Sequence, residues 1–265
     1  MFYNAKDYTL KTSKIEIDYA CFGYGNKNLI LIPGLSLRGV KGAALSLAYM
    51  YRIFAKEYRV YVFDKRNNLP NNYTIEDLAN DLAYVMEELH IEKADVFGVS
   101  QGGMIAQYLA INYPQLVNKL VLGVTASKTN DVIRSVINEW INMAENNEYD
   151  NMTRHMLEQL YSDTYLKKYK WLLPIASKLS KPKDFTRFIT LAKACLTCNA
   201  YERLDEIKCP VLVLGGKKDN IVTGAASIEI AEKLKCEIYM YDNLGHAAYE
   251  EATDYNERIF KFLKG

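Results

Sequence analysis

Short apolar runs recur along the chain, and the clearest of them end at residues that break a strand. Residues 29–32 stop at Pro33-Gly34, and residues 60–63 stop at Asp64. Runs of this kind are typical of strands that are buried on both faces of a sheet. The other predicted strands are residues 8–11, 14–19, 94–99, 120–124, 211–214 and 237–241.

Helical patterns separate most of these strands. In residues 74–89, an acidic first turn after Thr74 precedes apolar residues that share one helix face. Further helices are predicted at residues 103–112, 225–235 and 249–263. Strands that alternate with helices predict an α/β fold, with a mostly parallel eight-stranded sheet covered by helices on both faces.

The alternation stops between residues 127 and 200, where helical patterns rich in tyrosine, tryptophan and methionine replace the strands. We therefore expect residues 1–126 and 201–265 to form one core domain, and residues 127–200 to form a helical lid inserted after the sixth strand. Four lid side chains are expected to line a substrate pocket: Trp140, Met143, Met156 and Tyr161. Most other lid aromatic residues, Trp171 among them, are expected to pack the lid onto itself and the core.

Charge and length narrow the classes of function. A chain of 265 residues suits one main core. Its 33 basic and 32 acidic residues give a net charge of +1 with no basic block, which argues against nucleic acid as a partner. The sequence has no apolar signal core or membrane-length run, and its five cysteines are an odd number, so we expect a cytoplasmic protein with reduced thiols. A monomer and a homodimer both remain open.

Candidate chemistry begins at Gly98-Val99-Ser100-Gln101-Gly102, between a predicted strand and a predicted helix. The glycines are needed because side chains would collide across such a tight turn, and the serine is left projecting above the sheet. The Gly-x-Ser-x-Gly pattern alone is weak evidence for a nucleophile, but between a strand and a helix it becomes strong evidence. Ser100 is therefore the expected nucleophile.

A serine hydroxyl needs a base to accept its proton, and the chain has three histidines. His90 ends the predicted helix 74–89, where capping is the expected role. His155 lies on a lid helix beside Arg154, where a surface or packing role is expected. His246 follows the last strand, at the carboxyl edge of the sheet, where open α/β folds gather their chemistry. His246 is therefore the expected base.

A catalytic histidine also needs an acid that orients it. Asp219 follows strand 211–214 through Gly215-Gly216-Lys217-Lys218, so it also lies at the carboxyl edge of the sheet. Asp205 and Asp242 are alternatives, but neither occupies a loop that follows a strand as well as Asp219 does. Asp219 is the expected acid.

The chain order Ser100, Asp219, His246 and the glycine-flanked serine resemble the α/β-hydrolase superfamily, in its lid-bearing form. The resemblance covers nearly the whole chain and implies acyl transfer through a covalent acyl-enzyme. It also implies that the backbone N–H groups of Leu35 and Gln101 form the oxyanion hole.

Two positions depart from the common pattern of that superfamily. Pro33 stands where many relatives carry a histidine, so a rigid ring replaces a hydrogen bond that would brace the oxyanion loop. After Asp64, the loop lacks the usual glycines, although Asp64 and Arg66 match the usual aspartate and arginine, for which structural roles are expected.

The leading hypothesis is a serine hydrolase of small carboxylic esters, a carboxylesterase that acts on a small-molecule substrate without a cofactor. Alternatives are a carbon-carbon bond hydrolase of diketone-like substrates and a receptor that keeps the pocket but signals through lid movement. A cofactor-free oxygenase or perhydrolase is a further alternative. Cys195-Leu196-Thr197-Cys198 is a lone C-x-x-C, for which packing of two thiols is expected and zinc binding is not.

Overall fold

The computed structural model describes residues 2–169, 182 and 184–265. Its strands are β1 (Lys6–Lys11), β2 (Glu16–Phe22), β3 (Lys27–Ile32), β4 (Tyr58–Phe63), β5 (Ala94–Val99), β6 (Val117–Gly123), β7 (Val211–Gly216) and β8 (Glu237–Tyr241). They form one eight-stranded sheet in the order β1-β2-β4-β3-β5-β6-β7-β8. The pairs β1/β2 and β2/β4 are antiparallel and the remaining pairs are parallel, so the predicted fold class is confirmed.

The described helices follow the strands in the expected alternation. They are α1 (Ala44–Met50), α2 (Ile75–Glu88), α3 (Gln101–Asn112), α4 (Asp131–Glu145), α5 (Tyr149–Leu160), α6 (Asp163–Tyr169), α7 (Thr186–Cys195), α8 (Gly224–Leu234), α9 (Ala248–Glu251) and α10 (Tyr255–Lys264). Short 3-10 helices span Phe2–Asn4, Pro114–Leu116 and Tyr201–Glu206. None of these helices is long and apolar enough to cross a membrane.

The central strands separate two apolar layers. All six residues of β5 are buried, and neighbouring side chains point to opposite faces of the sheet. Ile30 and Val96 belong to the layer that includes side chains of α2 and α3, whereas Leu31 and Phe97 belong to the layer that includes side chains of α1 and α10. Burial on both faces explains why these strands are continuous apolar runs in the sequence.

Helix α2 begins as the sequence predicts. The Thr74 side chain accepts a hydrogen bond from the Asp77 backbone N–H at 3.1 Å, and the Asp77 carboxylate accepts the Thr74 N–H at 3.0 Å. This reciprocal pair satisfies two backbone donors that the first turn would otherwise leave unpaired.

The C-terminal helix is not continuous, so the prediction of one helix over residues 249–263 is wrong. Helix α9 ends before Ala252, whose backbone is extended (φ −81°, ψ 121°), and α10 begins after Asp254. The Asp254 carboxylate accepts hydrogen bonds from the Tyr241 hydroxyl of β8 and from Arg258. The contact between Asp254 and the distant strand β8 therefore stabilises the break between α9 and α10. The helical periodicity of the sequence does not indicate this break.

Helices α4 to α7 lie between β6 and β7, where the insertion is expected. Helix α4 packs against α5 and α7. Residues 170–181 and 183 of this region, Trp171 included, lie outside the described residues. The division of the chain into core and lid domains stays a prediction.

Candidate active site

The turn between β5 and α3 is built around Ser100. Its backbone has φ 54° and ψ −119°, a conformation that disfavours a residue with a side chain. The Ser100 N–H donates to the Gly123 carbonyl at 2.9 Å, and the Thr125 hydroxyl donates to the Ser100 carbonyl at 2.7 Å. Gly123 at the end of β6 and Thr125, two residues later, thus hold the strained turn in place.

Close packing explains the glycines around Ser100. A Cβ atom at Gly102 would overlap the backbone of Ile32, and one at Gly103 would lie 2.6 Å from the Thr125 side chain. Both positions therefore require glycine, because neighbouring backbone or a β-branched side chain already fills the space. The tight turn brings the start of α3 into direct contact with the end of β3 and the loop that follows it.

The structure brings Ser100, His246 and Asp219 into one hydrogen-bonded chain. The Nε2 atom of His246 lies 2.9 Å from Ser100 Oγ, and its Nδ1 atom lies 2.8 Å from Asp219 Oδ2. His246 is 3% exposed and Asp219 is 6% exposed, so both groups interact away from bulk water. The three residues lie after β5, β7 and β8, at the carboxyl edge of the sheet.

The second Asp219 oxygen fixes the orientation of the carboxylate. Oδ1 accepts the backbone N–H groups of Ile221 at 2.8 Å and Val222 at 3.0 Å. Burial alone would raise the pKa of Asp219, but the His246 ring and these two N–H groups hold the pKa below its ordinary value. Asp219 is therefore a buried carboxylate that faces the histidine through one oxygen.

The two expected oxyanion donors flank Ser100. Leu35 lines the same pocket as Ser100, and Gln101 is the first residue of α3. Within the described part of the chain, neither backbone N–H donates a hydrogen bond. Both are thus available to a ligand, and a helix N-terminus favours a negative charge nearby.

The Gln101 side chain is anchored in the inserted helices. It is fully buried, and its Nε2 atom donates to the Leu191 carbonyl at 2.6 Å and contacts Cys195 Sγ at 3.1 Å. Both partners belong to α7. The turn that carries Ser100 is therefore tied directly to the helices between β6 and β7.

A buried lysine, Lys65, holds the loop after β3 that carries the expected oxyanion donor Leu35, and no sequence motif indicated this contact. Its Nζ atom donates to the Pro33 carbonyl at 2.6 Å and to the Gly34 carbonyl at 2.8 Å. Burial lowers the pKa of Lys65 to about 8, although the Asp64 carboxylate opposes the shift. One feature of the sequence could have indicated Lys65 as a site residue. It closely follows a buried strand, at the edge of the sheet where the other site residues lie.

Asp64 and Arg66 organise the loop after β4, which is the structural role expected of them. Asp64 Oδ1 accepts the Lys65 N–H at 2.8 Å and the Arg187 guanidinium of α7 at 2.9 Å, and Oδ2 accepts the Val40 N–H at 3.2 Å. Arg66 instead contacts the Asp81 carboxylate at 3.3 Å, on the side of α2. The two side chains of this loop therefore bind different parts of the fold.

The described side chains around Ser100 and His246 enclose a small apolar cavity of about 30 Å³. It is lined by Leu35, Met104, Ile133, Ile137, Trp140, Met156, Leu160, Cys195, Ile221 and Val222. Ligand pockets for drug-sized molecules measure about 300–1,000 Å³, so the cavity suits only a small apolar group beside Ser100.

Two of the four expected lid residues line this cavity and two do not. Trp140 and Met156 are among the lining residues. Met143 is absent from the described lining, and its partly buried side chain packs against the apolar core instead. Tyr161 is also absent from it, and its hydroxyl donates to the Glu250 carboxylate at 2.5 Å.

A family model for the alpha/beta hydrolase fold matches residues 27–155. The chain has the α/β-hydrolase fold. It is 27% identical to a 2-hydroxy-6-oxononadienedioate/2-hydroxy-6-oxononatrienedioate hydrolase of Burkholderia vietnamiensis, over 95% of this chain and 92% of that protein. It is 25% identical to 3-oxoadipate enol-lactonase 2 of Acinetobacter baylyi, over 82% of this chain and 81% of that protein.

The fold of this chain also matches solved structures. An alpha/beta hydrolase enzyme from a Medee basin deep-sea metagenome library superimposes with a TM-score of 0.87 at 20% identity, over 97% of this chain and 98% of that one. The enol-lactonase of Burkholderia xenovorans superimposes with a TM-score of 0.82 at 21% identity, over 97% of this chain and 100% of that one.

The other two histidines of this chain lie apart from Ser100. His90 is exposed, one residue beyond the C-cap of α2, with φ 53°. His155 accepts a hydrogen bond at Nδ1 from the Trp140 indole N–H at 3.2 Å. His155 therefore helps to hold one wall of the cavity without lining it.

The cysteines of the C-x-x-C string pack as two separate thiols. Cys195 and Cys198 are both buried and free, and burial raises the pKa of each thiol to about 12. A thiol of this kind is protonated near neutral pH and is a poor nucleophile. Cys195 additionally forms part of the cavity wall beside Ser100.

Proposed function

We propose that the chain is a serine hydrolase that cleaves small-molecule carboxylic esters with a short apolar acyl group. The observation that carries the proposal is the hydrogen-bonded chain from Ser100 through His246 to Asp219, at 2.9 and 2.8 Å. Hydrolysis as the general class of reaction is also supported by the names of the relatives, which include an enol-lactonase and a 2-hydroxy-6-oxononadienedioate/2-hydroxy-6-oxononatrienedioate hydrolase.

The geometry supports a two-step reaction. Ser100 Oγ attacks the ester carbonyl while His246 Nε2 accepts its proton, and the buried Asp219 carboxylate stabilises the imidazolium that forms. The N–H groups of Leu35 and Gln101 bind the oxyanion, each contributing about 3 kcal/mol to the lowering of the barrier.

Collapse of the first tetrahedral intermediate breaks the ester C–O bond, and His246 donates its proton to the leaving alcohol. A water molecule then loses a proton to His246 and attacks the acyl-enzyme. When the second intermediate collapses, the acid is released and Ser100 recovers its proton. The apolar cavity beside Ser100 would hold the acyl chain during both steps.

A fluorophosphonate probe and a panel of p-nitrophenyl esters of increasing acyl length test this proposal. We expect covalent labelling at Ser100 and turnover that is highest for short chains, with Ser100→Ala losing both. Absence of labelling in a folded protein, or full turnover by Ser100→Ala, would refute it.

The relatives also motivate a second candidate, a carbon-carbon bond hydrolase of diketone-like substrates. One relative is named as a hydrolase of 2-hydroxy-6-oxononadienedioate, and it is 27% identical over 95% of this chain. Diketone analogues assayed in parallel with the esters separate the two candidates. Turnover of a diketone at least about tenfold above that of every ester would favour the second one.

A further inference from the structure

The side chain of Lys65 ends beneath the loop that carries the Leu35 N–H. Its ammonium is held between two successive carbonyls, Pro33 O at 2.6 Å and Gly34 O at 2.8 Å, and the residue is 5% exposed. Pro33 has no N–H and a fixed φ, so the proline supplies no donor of its own to hold this loop. The ammonium is a brace that reaches the loop from the end of β4.

The Gly34 carbonyl and the Leu35 N–H belong to the same peptide unit. A trans peptide is planar, so its C=O and N–H bonds point in opposite directions. A group that holds the Gly34 oxygen therefore also fixes the direction of the Leu35 N–H, on the far side of the peptide. This part of the loop lies against Ser100, because a Cβ at Gly34 would lie 3.2 Å from Ser100 Cβ and Leu35 lines the same cavity as Ser100.

We propose that Lys65 is a positioning residue for catalysis, whose ammonium holds the Gly34 carbonyl and so aims the Leu35 N–H at the oxyanion. The inference rests on the proposed function. A positive charge is suited to this task, since a charge-assisted hydrogen bond is roughly twice as strong as a neutral one. Polarising the peptide at its oxygen also strengthens its N–H as a donor.

The groups that face this ammonium make its charge dependent on pH. They are the Asp64 carboxylate, the Arg187 guanidinium and the Cys195 thiol. Burial lowers the pKa of Lys65 to about 8, whereas the thiol pKa is about 12. Above pH 8 the ammonium becomes a neutral amine, which donates weaker hydrogen bonds, so the brace weakens as pH rises through this value.

Lys65→Met tests the inference, with Arg66→Met as the matched control. Methionine keeps the length of the lysine stem and removes its donors. The control removes a half-buried cation from the same loop, one that contacts Asp81 and the Lys14 carbonyl. We expect Lys65→Met to lower kcat on p-nitrophenyl butyrate by about 10- to 100-fold with KM changed less than about threefold, and Arg66→Met to leave kcat within about threefold.

The pH profile separates positioning from simple stabilisation. We expect kcat/KM of the wild type and of Arg66→Met to fall above pH 8. The kcat/KM of Lys65→Met should show no such fall above pH 8. A Lys65→Met protein with wild-type kcat would overturn the inference. If that variant does not fold, a flat wild-type profile between about pH 7 and 9.5 overturns it as well.

The rate of fluorophosphonate labelling at Ser100 provides a readout that does not depend on the ester. The phosphonyl oxygen occupies the same hole, so labelling should slow in Lys65→Met and above pH 8 in the wild type. A wild type that is labelled but hydrolyses no ester would refute the ester proposal and leave this readout intact. A wild type that is not labelled at all would refute both.

Discussion

Asp219 divides its two carboxylate oxygens between two tasks. Oδ2 lies 2.8 Å from His246 Nδ1, while Oδ1 accepts the backbone N–H groups of Ile221 and Val222. This division predicts the effect of Asp219→Asn. The asparagine oxygen can keep both backbone donors, which places its NH₂ group against His246 Nδ1 and stabilises the tautomer that carries a proton on Nε2.

In that tautomer His246 cannot accept the proton of Ser100, so we expect kcat to fall by about 10³- to 10⁴-fold. Steady-state kinetics on a p-nitrophenyl ester measure the change, and circular dichroism checks that the fold is retained. Asp205→Asn and Asp242→Asn are matched controls, because these carboxylates pair with Lys233 and Lys217. If either control lost activity as Asp219→Asn does, the assignment of the acid would be wrong.

The strained backbone at Ser100 predicts a difference between two inactive variants. Glycine tolerates φ 54° and ψ −119°, whereas alanine retains the strain. We expect Ser100→Gly to be more stable than Ser100→Ala by about 1 kcal/mol, after allowance for the larger freedom of glycine in the unfolded chain. Urea unfolding measures the difference. Equal or reversed stabilities would show that the turn imposes little strain.

The apolar cavity predicts which lid substitution changes substrate preference. Met156→Ala removes part of the cavity wall beside Ser100 and so enlarges the cavity. We therefore expect the preferred acyl chain to lengthen by one or two methylenes. Each additional buried methylene contributes about 0.8 kcal/mol, or roughly fourfold in kcat/KM. Met143→Ala removes a similar side chain away from the cavity lining and should leave the preference unchanged. A shift in the control alone would contradict the described cavity.

The buried charge of Lys65 predicts how stability depends on pH. Its pKa falls from 10.5 to about 8 on folding, so between these values the unfolded chain binds more protons than the folded one. The contribution of Lys65 to the free energy of unfolding therefore rises from pH 8 to 10.5. Urea unfolding of the wild type and of Lys65→Met over this range isolates it, because other groups titrate in both proteins. A difference that stayed flat or fell would contradict the lowered pKa.

Stability and catalysis should thus change in opposite directions above pH 8. Deprotonation relieves the cost of a buried charge but weakens the hold on the Gly34 carbonyl. A residue with a purely structural role would give a more stable and equally active enzyme over the same range.

Local patterns and chain order predicted much of the fold. The central strands are buried on both faces, so their apolar runs are distinct, and the Thr74-Asp77 cap depends only on residues three apart. The carboxyl edge of the sheet gathers residues that follow strands, which is why Ser100, Asp219 and His246 could be chosen together before their distances were known.

The remaining features depend on tertiary contacts that periodicity cannot indicate. The helix break at residues 252–254 accompanies a hydrogen bond between Asp254 and Tyr241. Residue type alone places Met143 in an apolar wall, but it does not indicate whether the side chain lines the cavity or packs against the core, as Met143 does here. Lys65 reaches the oxyanion loop across 31 positions of sequence, and no local pattern reports such a contact.

The anchoring of Gln101 limits how substrate range can be engineered in this chain. Its side chain binds Leu191 and Cys195 of α7, while its backbone N–H is the proposed oxyanion donor. Exchanging residues 186–195 for those of a relative would therefore alter the turn that carries Ser100 as well as the cavity. Helices α4 and α5 supply Ile133, Ile137, Trp140, Met156 and Leu160 to the cavity. Libraries confined to those positions vary the cavity wall while keeping the side chains of Ser100, His246 and Asp219 and the contacts of Gln101 with α7.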